Sequence, residues 1–152
     1  MRISAKTDYA LRAAIELAAA PAGAPLKAER IAGAQEVPLR FLENILSELR
    51  HAGVVESRRG AEGGYLLARP AAEVALADVV RAVDGPLANV GGRRPDALEY
   101  GGSATALRDV WVAVRAGLRE VLERTTLADV AAGELPAEVA ALIEPEDAWH
   151  PH

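Results

Sequence analysis

Two short β-prone runs, Val54-Val55-Glu56-Ser57-Arg58-Arg59 and Tyr65-Leu66-Leu67-Ala68-Arg69, flank a Gly-rich break, Gly60-Ala61-Glu62-Gly63-Gly64. That arrangement is a hairpin signal. Elsewhere the apolar spacing is helical, so the expected fold class is mainly α with a small β-hairpin wing. The hairpin follows two helices joined by a tight turn and a longer third helix. This is the order of a winged helix-turn-helix domain.

The helices are read from their stripes. From Thr7 to Ala20, Leu11, Ile15 and Leu17 with Ala14 and Ala18 form one apolar face. Thr7 or Asp8 can cap it, and Pro21, Gly23 and Pro25 end it. A second helix fits Lys27 to Ala34, with Ile31 and Ala32 inward, and a turn follows at Gln35 and Glu36. The third begins near Pro38, turns Leu39, Leu42, Ile45, Leu46 and Leu49 inward, and stops at Gly53. A fourth runs from about Leu76 to Val83 and is closed by Asp84-Gly85-Pro86. Ala88 to Ser103 has the composition of a loop. Ser103 can then cap a long helix whose stripe is Leu107, Val110, Trp111, Val114, Leu118, Val121 and Leu122, running to about Arg124. Thr126 caps a short helix through Ala132, and Pro136 to Ile143 fits another.

The expected organisation is a DNA-binding domain at 1–87, a linker or sensor loop at 88–102, a dimerisation helix with C-terminal helices at 103–143, and an irregular tail at 144–152. The long stripe has few partners within so small a chain. Leu107, Val110, Trp111, Val114, Leu118 and Val121 are therefore expected to pack against a second copy, making a homodimer.

Charge first argues against a nucleic-acid partner: 17 Lys/Arg against 22 Asp/Glu leave a net −5. The imbalance is uneven along the chain. Residues 1–69 carry ten basic and eight acidic side chains, and residues 70–152 carry seven and fourteen. A polyanion-binding surface therefore belongs in the first part. Asp8 and Glu16 interrupt any signal-peptide core, and no long uncharged apolar run follows. The expectation is a cytoplasmic protein without a membrane partner.

The exposed side of the third helix would present Arg40, Glu43, Asn44, Ser47, Arg50 and His51. These types suit a major groove: Arg bridges guanine O6 and N7, Glu accepts from cytosine N4, and Asn pairs with adenine. Helix N-terminal residues reach base edges most easily, which favours Arg40, Glu43 and Asn44. Arg58 and Arg59 lie where a wing tip meets the minor groove or phosphates. Gly60, Gly63 and Gly64 would let the backbone turn and approach DNA without Cβ clashes. The expected partner is double-stranded DNA.

The chain also resembles a known family. Met1-Arg2-Ile3-Ser4-Ala5-Lys6-Thr7-Asp8-Tyr9-Ala10-Leu11-Arg12-Ala13, Phe41-Leu42-Glu43 through Leu49-Arg50, Ser57-x-Arg59-Gly60, Gly63-Gly64-Tyr65-Leu66-Leu67 and Asp78-Val79-Val80-Arg81-Ala82-Val83-Asp84-Gly85 resemble the IscR and NsrR type of winged-helix transcriptional regulators, the Rrf2 family. The resemblance is close over about residues 1–86; beyond that, the long helix is similar only in position and pattern. It implies a homodimer on a pseudo-palindromic operator, mostly acting as a repressor, with the recognition helix in the major groove and a wing arginine in the minor groove. By position, Arg40, Phe41 and Glu43 match the recognition contacts and Arg59 the wing arginine.

One departure from that family is complete. Many of its members hold an iron–sulfur cluster through three cysteines before the dimerisation helix, whereas this chain has no cysteine. No cofactor is therefore expected. Asp8 matches a carboxylate that some members lend to the cluster, but alone it holds nothing and reads as a helix cap or solvated acid. His150 and His152, beside Trp149, form at most a chelating tail, and no metal site is assigned. Trp111 and Trp149 are candidates for lining an effector pocket, although the spacing of Trp111 suits a core or dimer interface.

Nothing points to an enzyme. The Gly-rich stretch lies inside a hairpin and opens no helix, and no nucleophile elbow is present. The expected function is a sequence-specific DNA-binding regulator, a repressor without a cysteine-ligated cluster. Its signal would be a small molecule, a partner protein or its own abundance. The alternative, suggested by the acidic second half, is a protein-interaction module that keeps the winged-helix scaffold and binds a partner protein instead of DNA.

Overall fold

The computed structural model describes residues 2–151. Its helices are α1 Ala5–Ala19, α2 Ala28–Gln35, α3 Leu39–His51, α4 Leu76–Asp84, α5 Leu107–Leu122, α6 Leu127–Ala132 and α7 Ala137–Ala141, and its strands are β1 Val55–Arg58 and β2 Gly64–Leu67. Single 3₁₀ turns stand at Ala71–Glu73, Pro95–Ala97, Gly102–Ala104 and Glu146–Trp149.

Helix α1 is the central member, touched by α2, α3, α4 and α6. Its innermost residues are Ala10, Ala13, Ala14 and Leu17, and the larger Leu11 and Ile15 of the expected stripe are only half-buried. A helix with neighbours on several sides needs small side chains where they approach closest. The start of α1 also differs from expectation. Ser4 is the cap, accepting from the Thr7 backbone N–H at 3.0 Å, so Thr7 and Asp8 lie inside the helix. Thr7 is buried and its hydroxyl donates to the Asp84 carboxylate, to which Ser4 also donates at 3.0 Å. The beginning of α1 is thereby tied to the end of α4. Asp8 faces outward and pairs with Arg12 one turn on, at 3.3 Å.

Glu36 ends α2 in the left-handed region, at φ 52°, and Val37 buries itself behind the turn. Pro38 then sits at the N-cap of α3. Leu42, Ile45, Leu46 and Leu49 are almost wholly buried. Leu39, expected inward, is 37% exposed, because the first residue of α3 overhangs the edge of the core. Beyond α3, Gly53 turns with φ 74°, a conformation that suits glycine, and sends the chain into β1.

Strands β1 and β2 pair antiparallel with Val55 opposite Leu67 and Arg58 opposite Gly64. Leu26 exchanges two backbone hydrogen bonds with Tyr65, at 2.8 and 2.7 Å, and fastens the hairpin to the start of α2.

The chain leaves this head after Asp84 and returns to it. The Leu76 N–H donates to Thr125 O and the Leu127 N–H to Val74 O, both at 2.9 Å, and Leu127 is buried in the same core as α1 and α3. Part of the segment expected to belong with the dimerisation helix is thus core of the head. Between these tethers, α5 has no buried residue. It starts at Leu107 behind Ala106, without a side-chain cap, because Ser103 is taken up in a 3₁₀ turn. Thr126 does cap α6, in a reciprocal box with Asp129.

Three carboxylates sit below their ordinary pKa. The Thr126 backbone N–H, then its hydroxyl, lower Asp129; the Arg115 guanidinium lowers Asp96; the Arg81 guanidinium lowers Glu123. For such groups the stabilisation is fully present above the unfolded-state value and is lost as pH falls through the lower folded value. Urea midpoints should therefore be level between about pH 6 and 8 and fall below about pH 5. A midpoint unchanged down to about pH 3 would contradict these interactions.

Candidate nucleic-acid interface

With one face of α3 committed to the core, the opposite face is free. Arg40, Phe41, Glu43, Asn44 and Arg50 are exposed and Ser47 is half-buried. Phe41, at 61%, is among the most exposed large apolar side chains described. Asn44, Ser47, Glu48 and His51 line a shallow concavity of about 620 Å³ closed on one side by Ala82 of α4. Glu48 is held there by Lys6 of α1 at 3.0 Å, and the His51 ring by the Ser47 carbonyl at 2.7 Å.

The wing continues this face. Arg50 Nη1 reaches Ser57 Oγ of β1 at 3.4 Å, which sets the end of α3 against the first strand. The two wing arginines part company. Arg58 turns back, donating to the Gly23 carbonyl at 3.2 Å and lying 3.8 Å from Glu56. Arg59 is exposed and, among the described residues, makes no hydrogen bond or ion pair within the chain. Arg40 is likewise unpaired among the described residues. A guanidinium without an internal partner keeps its five donors for an external acceptor.

The glycines also divide. Gly60 takes φ 103° with open space around it, as a turn tip facing solvent would. Gly63 and Gly64 serve the chain itself: a Cβ on Gly63 would lie 2.1 Å from the Arg58 carbonyl oxygen, and one on Gly64 2.4 Å from that of Leu26. Only Gly60, then, fits the expected role of easing an approach to DNA.

Two cations outside the expected set join this surface. Lys27 and Arg30, exposed at the start of α2, line a groove of about 270 Å³ with Ala61, Glu62 and Gly63 of the wing turn. The sequence signal was their place in the first helix of the helix-turn-helix, where side chains meet the phosphate backbone.

A family model described as "Rrf2: Iron-dependent Transcriptional regulator" matches residues 3–133. The chain belongs to the Rrf2 family. It is 53% identical over 144 residues to an HTH-type transcriptional regulator of Mycobacterium tuberculosis, spanning 95% of this chain and 89% of that protein. It is 37% identical over 131 residues to the HTH-type transcriptional regulator CymR of Bacillus subtilis, spanning 86% and 90%. Among solved structures, CymR, the global cysteine regulator of B. subtilis, superposes with a TM-score of 0.75 at 35% identity, over 88% of this chain and 98% of that one. T. potens IscR superposes with a TM-score of 0.72 at 29% identity, over 99% and 97%.

The Rrf2 relatives are helix-turn-helix transcriptional regulators, and this chain is a DNA-binding regulator of that kind. That finding favours DNA over the alternative of a scaffold kept only to bind protein. The residues of this Rrf2 chain do not fit a cysteine-ligated cluster, since it has no cysteine. Among the described residues, no group of three or more His, Cys, Asp or Glu is placed to hold a metal ion. His150 lies 3.9 Å from Glu146 in the exposed tail, and His152 lies outside the described residues. Trp149 is 69% exposed, with its indole N–H donating to the Ile143 carbonyl. No described helix is long and apolar enough to cross a membrane.

Proposed function

We propose that this Rrf2 regulator acts as a homodimeric repressor on a pseudo-palindromic operator in chromosomal, cytoplasmic DNA, without a cysteine-ligated cluster. The observation that carries this reading is the continuity of two DNA-facing features through Arg50 and Ser57: the polar face of α3 and the wing with its unpaired Arg59. Arg40, Glu43 and Asn44 read base edges in the major groove, and Phe41 supplies apolar contact such as a thymine methyl accepts. Ser47 and Arg50 hold the register on phosphates, Arg58 braces the wing against Gly23, and Arg59 and Gly60 close on the neighbouring minor groove. Lys27 and Arg30 extend the phosphate track.

The dimer reading is supported by α5, which has no buried residue and leaves Leu107 37% and Val110 51% exposed. Trp111, Val114, Leu118 and Val121 beside them are half-buried, and the Trp111 indole N–H is shielded from solvent without a hydrogen-bond partner. A second copy of α5 would cover this face. The unit at 88–102 links head to α5 and is the place for an effector to act.

Gel shifts with genomic fragments at fixed salt test the reading through the ratio of specific to non-specific affinity. Retention of a fragment bearing an inverted repeat is expected. With that fragment, Arg59→Ala should weaken binding by about 1–3 kcal/mol and flatten the salt dependence. Unchanged affinity and slope would remove Arg59 from the interface.

A further inference from the structure

The acidic half of the chain places most of its cations in one spot. Residues 70–152 hold seven arginines, and Arg81, Arg94, Arg115 and Arg119 line a single cleft of about 300 Å³ between α4 and α5. Leu87, itself buried, and Pro86 give the cleft an apolar floor. The four guanidinium groups share two carboxylates. Asp96 takes Arg115 at 2.5 Å and Arg94 at 3.0 Å; Glu123 takes Arg81 and, through both oxygens at 3.0 Å, Arg119. Two charges are left over, and each guanidinium carries five N–H donors, more than these contacts occupy.

Ordinary surface ion pairs would balance one cation with one anion and disperse along the helices. Here the positive groups come from three separate segments, α4, the residue capping the turn at 95–97 and α5, and converge where head meets long helix. Arg115 and Arg119 stand one helical turn apart on the flank of the apolar stripe of α5, so the cleft adjoins the face expected to meet a second copy.

We propose that this cleft binds a small dianionic oxyanion compound, a dicarboxylate or a phosphate monoester, through charge-assisted hydrogen bonds from the four arginines. Guanidinium forks match the planar geometry of carboxylate and phosphate oxygens, and two negative charges equal the surplus of the site. The depressed pKa values of Asp96 and Glu123 are what such a positive surrounding produces. A bound dianion would clamp Arg81 of the head to Arg115 and Arg119 of α5, and so bias how the head is carried on the long helix. That regulatory consequence rests on the homodimeric DNA-binding reading; the binding itself does not.

The test is isothermal titration of the full chain, without DNA, with succinate and with inorganic phosphate, at ionic strength held constant with sodium chloride. Saturable binding of either probe, one per chain, is expected, and which of the two binds assigns the class. The double variant Arg94→Gln/Arg119→Gln removes the two most exposed guanidinium groups, at 68% and 56% side-chain exposure. It should bind about tenfold or more weakly with an unchanged circular dichroism spectrum. Arg59→Gln, at the wing, should bind as the parent does. No saturable heat with either probe would overturn the site. So would equal binding by the double variant, or loss of binding in Arg59→Gln. Operator retention in the gel shift is read separately, so either proposal can fail without the other.

Discussion

Glutamate at both Leu107 and Val110 is expected to make the protein monomeric and to lower its affinity for a two-half-site operator by about 10²–10⁴-fold. The two side chains are already exposed, at 37% and 51%, so the head loses no core contact when they change. In the dimer the same positions would press four new charges of like sign, two from each chain, into an apolar seam, where burial of an unpaired carboxylate is costly. In the proposed dimer operator affinity would depend on the seam, because the second head, once tethered, binds at the effective concentration set by its partner rather than at its own. Sedimentation should show a single chain, with helical content unchanged, and the gel shift should show only weak retention. A double variant that stays dimeric would place the interface elsewhere. A monomer with undiminished operator affinity would remove the need for a dimer.

The second large effect lies in the wing. Gly63→Ala is expected to cost about 3–5 kcal/mol of stability, whereas Gly60→Ala, three residues away, should cost about 1–2 kcal/mol. The added methyl at Gly63 meets the Arg58 carbonyl oxygen at 2.1 Å and the Arg59 carbonyl carbon at 2.8 Å. Both are backbone atoms, so no rotamer change relieves the clash. The hairpin has to open instead, and Tyr65 with its two hydrogen bonds to Leu26 moves with it. At Gly60 the methyl enters open space and only the φ of 103° is unfavourable. Urea denaturation of the two variants measures the contrast. Equal stability losses would mean that the hairpin tolerates opening at Gly63, against the packing described.

Much of the head was legible before its structure was. Leu42, Ile45, Leu46 and Leu49 recur at helical spacing and are the buried face of α3; the Gly-rich break did become a hairpin. Capping chemistry was readable at Thr126, where the hydroxyl and Asp129 close a box. It misled at the start of α1, where Ser4, Thr7 and Asp8 are all competent caps. The choice fell to Ser4 because burial of Thr7 against Asp84 extends the helix past it. Ser103 failed as the cap of α5 for a related reason: the chain there closes a 3₁₀ turn first.

Two kinds of information separate along this chain. Periodicity, glycine placement and the absence of cysteine are local properties, and from them alone follow the helix-turn-helix order, the wing, the exposed set on α3 and the misfit with a thiolate-held cluster. Which of Arg58 and Arg59 is free, which glycines the wing needs for itself, and that Leu127 returns to the head core were decided by tertiary contact. So was the gathering of four arginines from three segments into one cleft. Side-chain spacing reports one element at a time, whereas those outcomes depend on distances between residues far apart in sequence. Packing of separate elements against one another sets those distances.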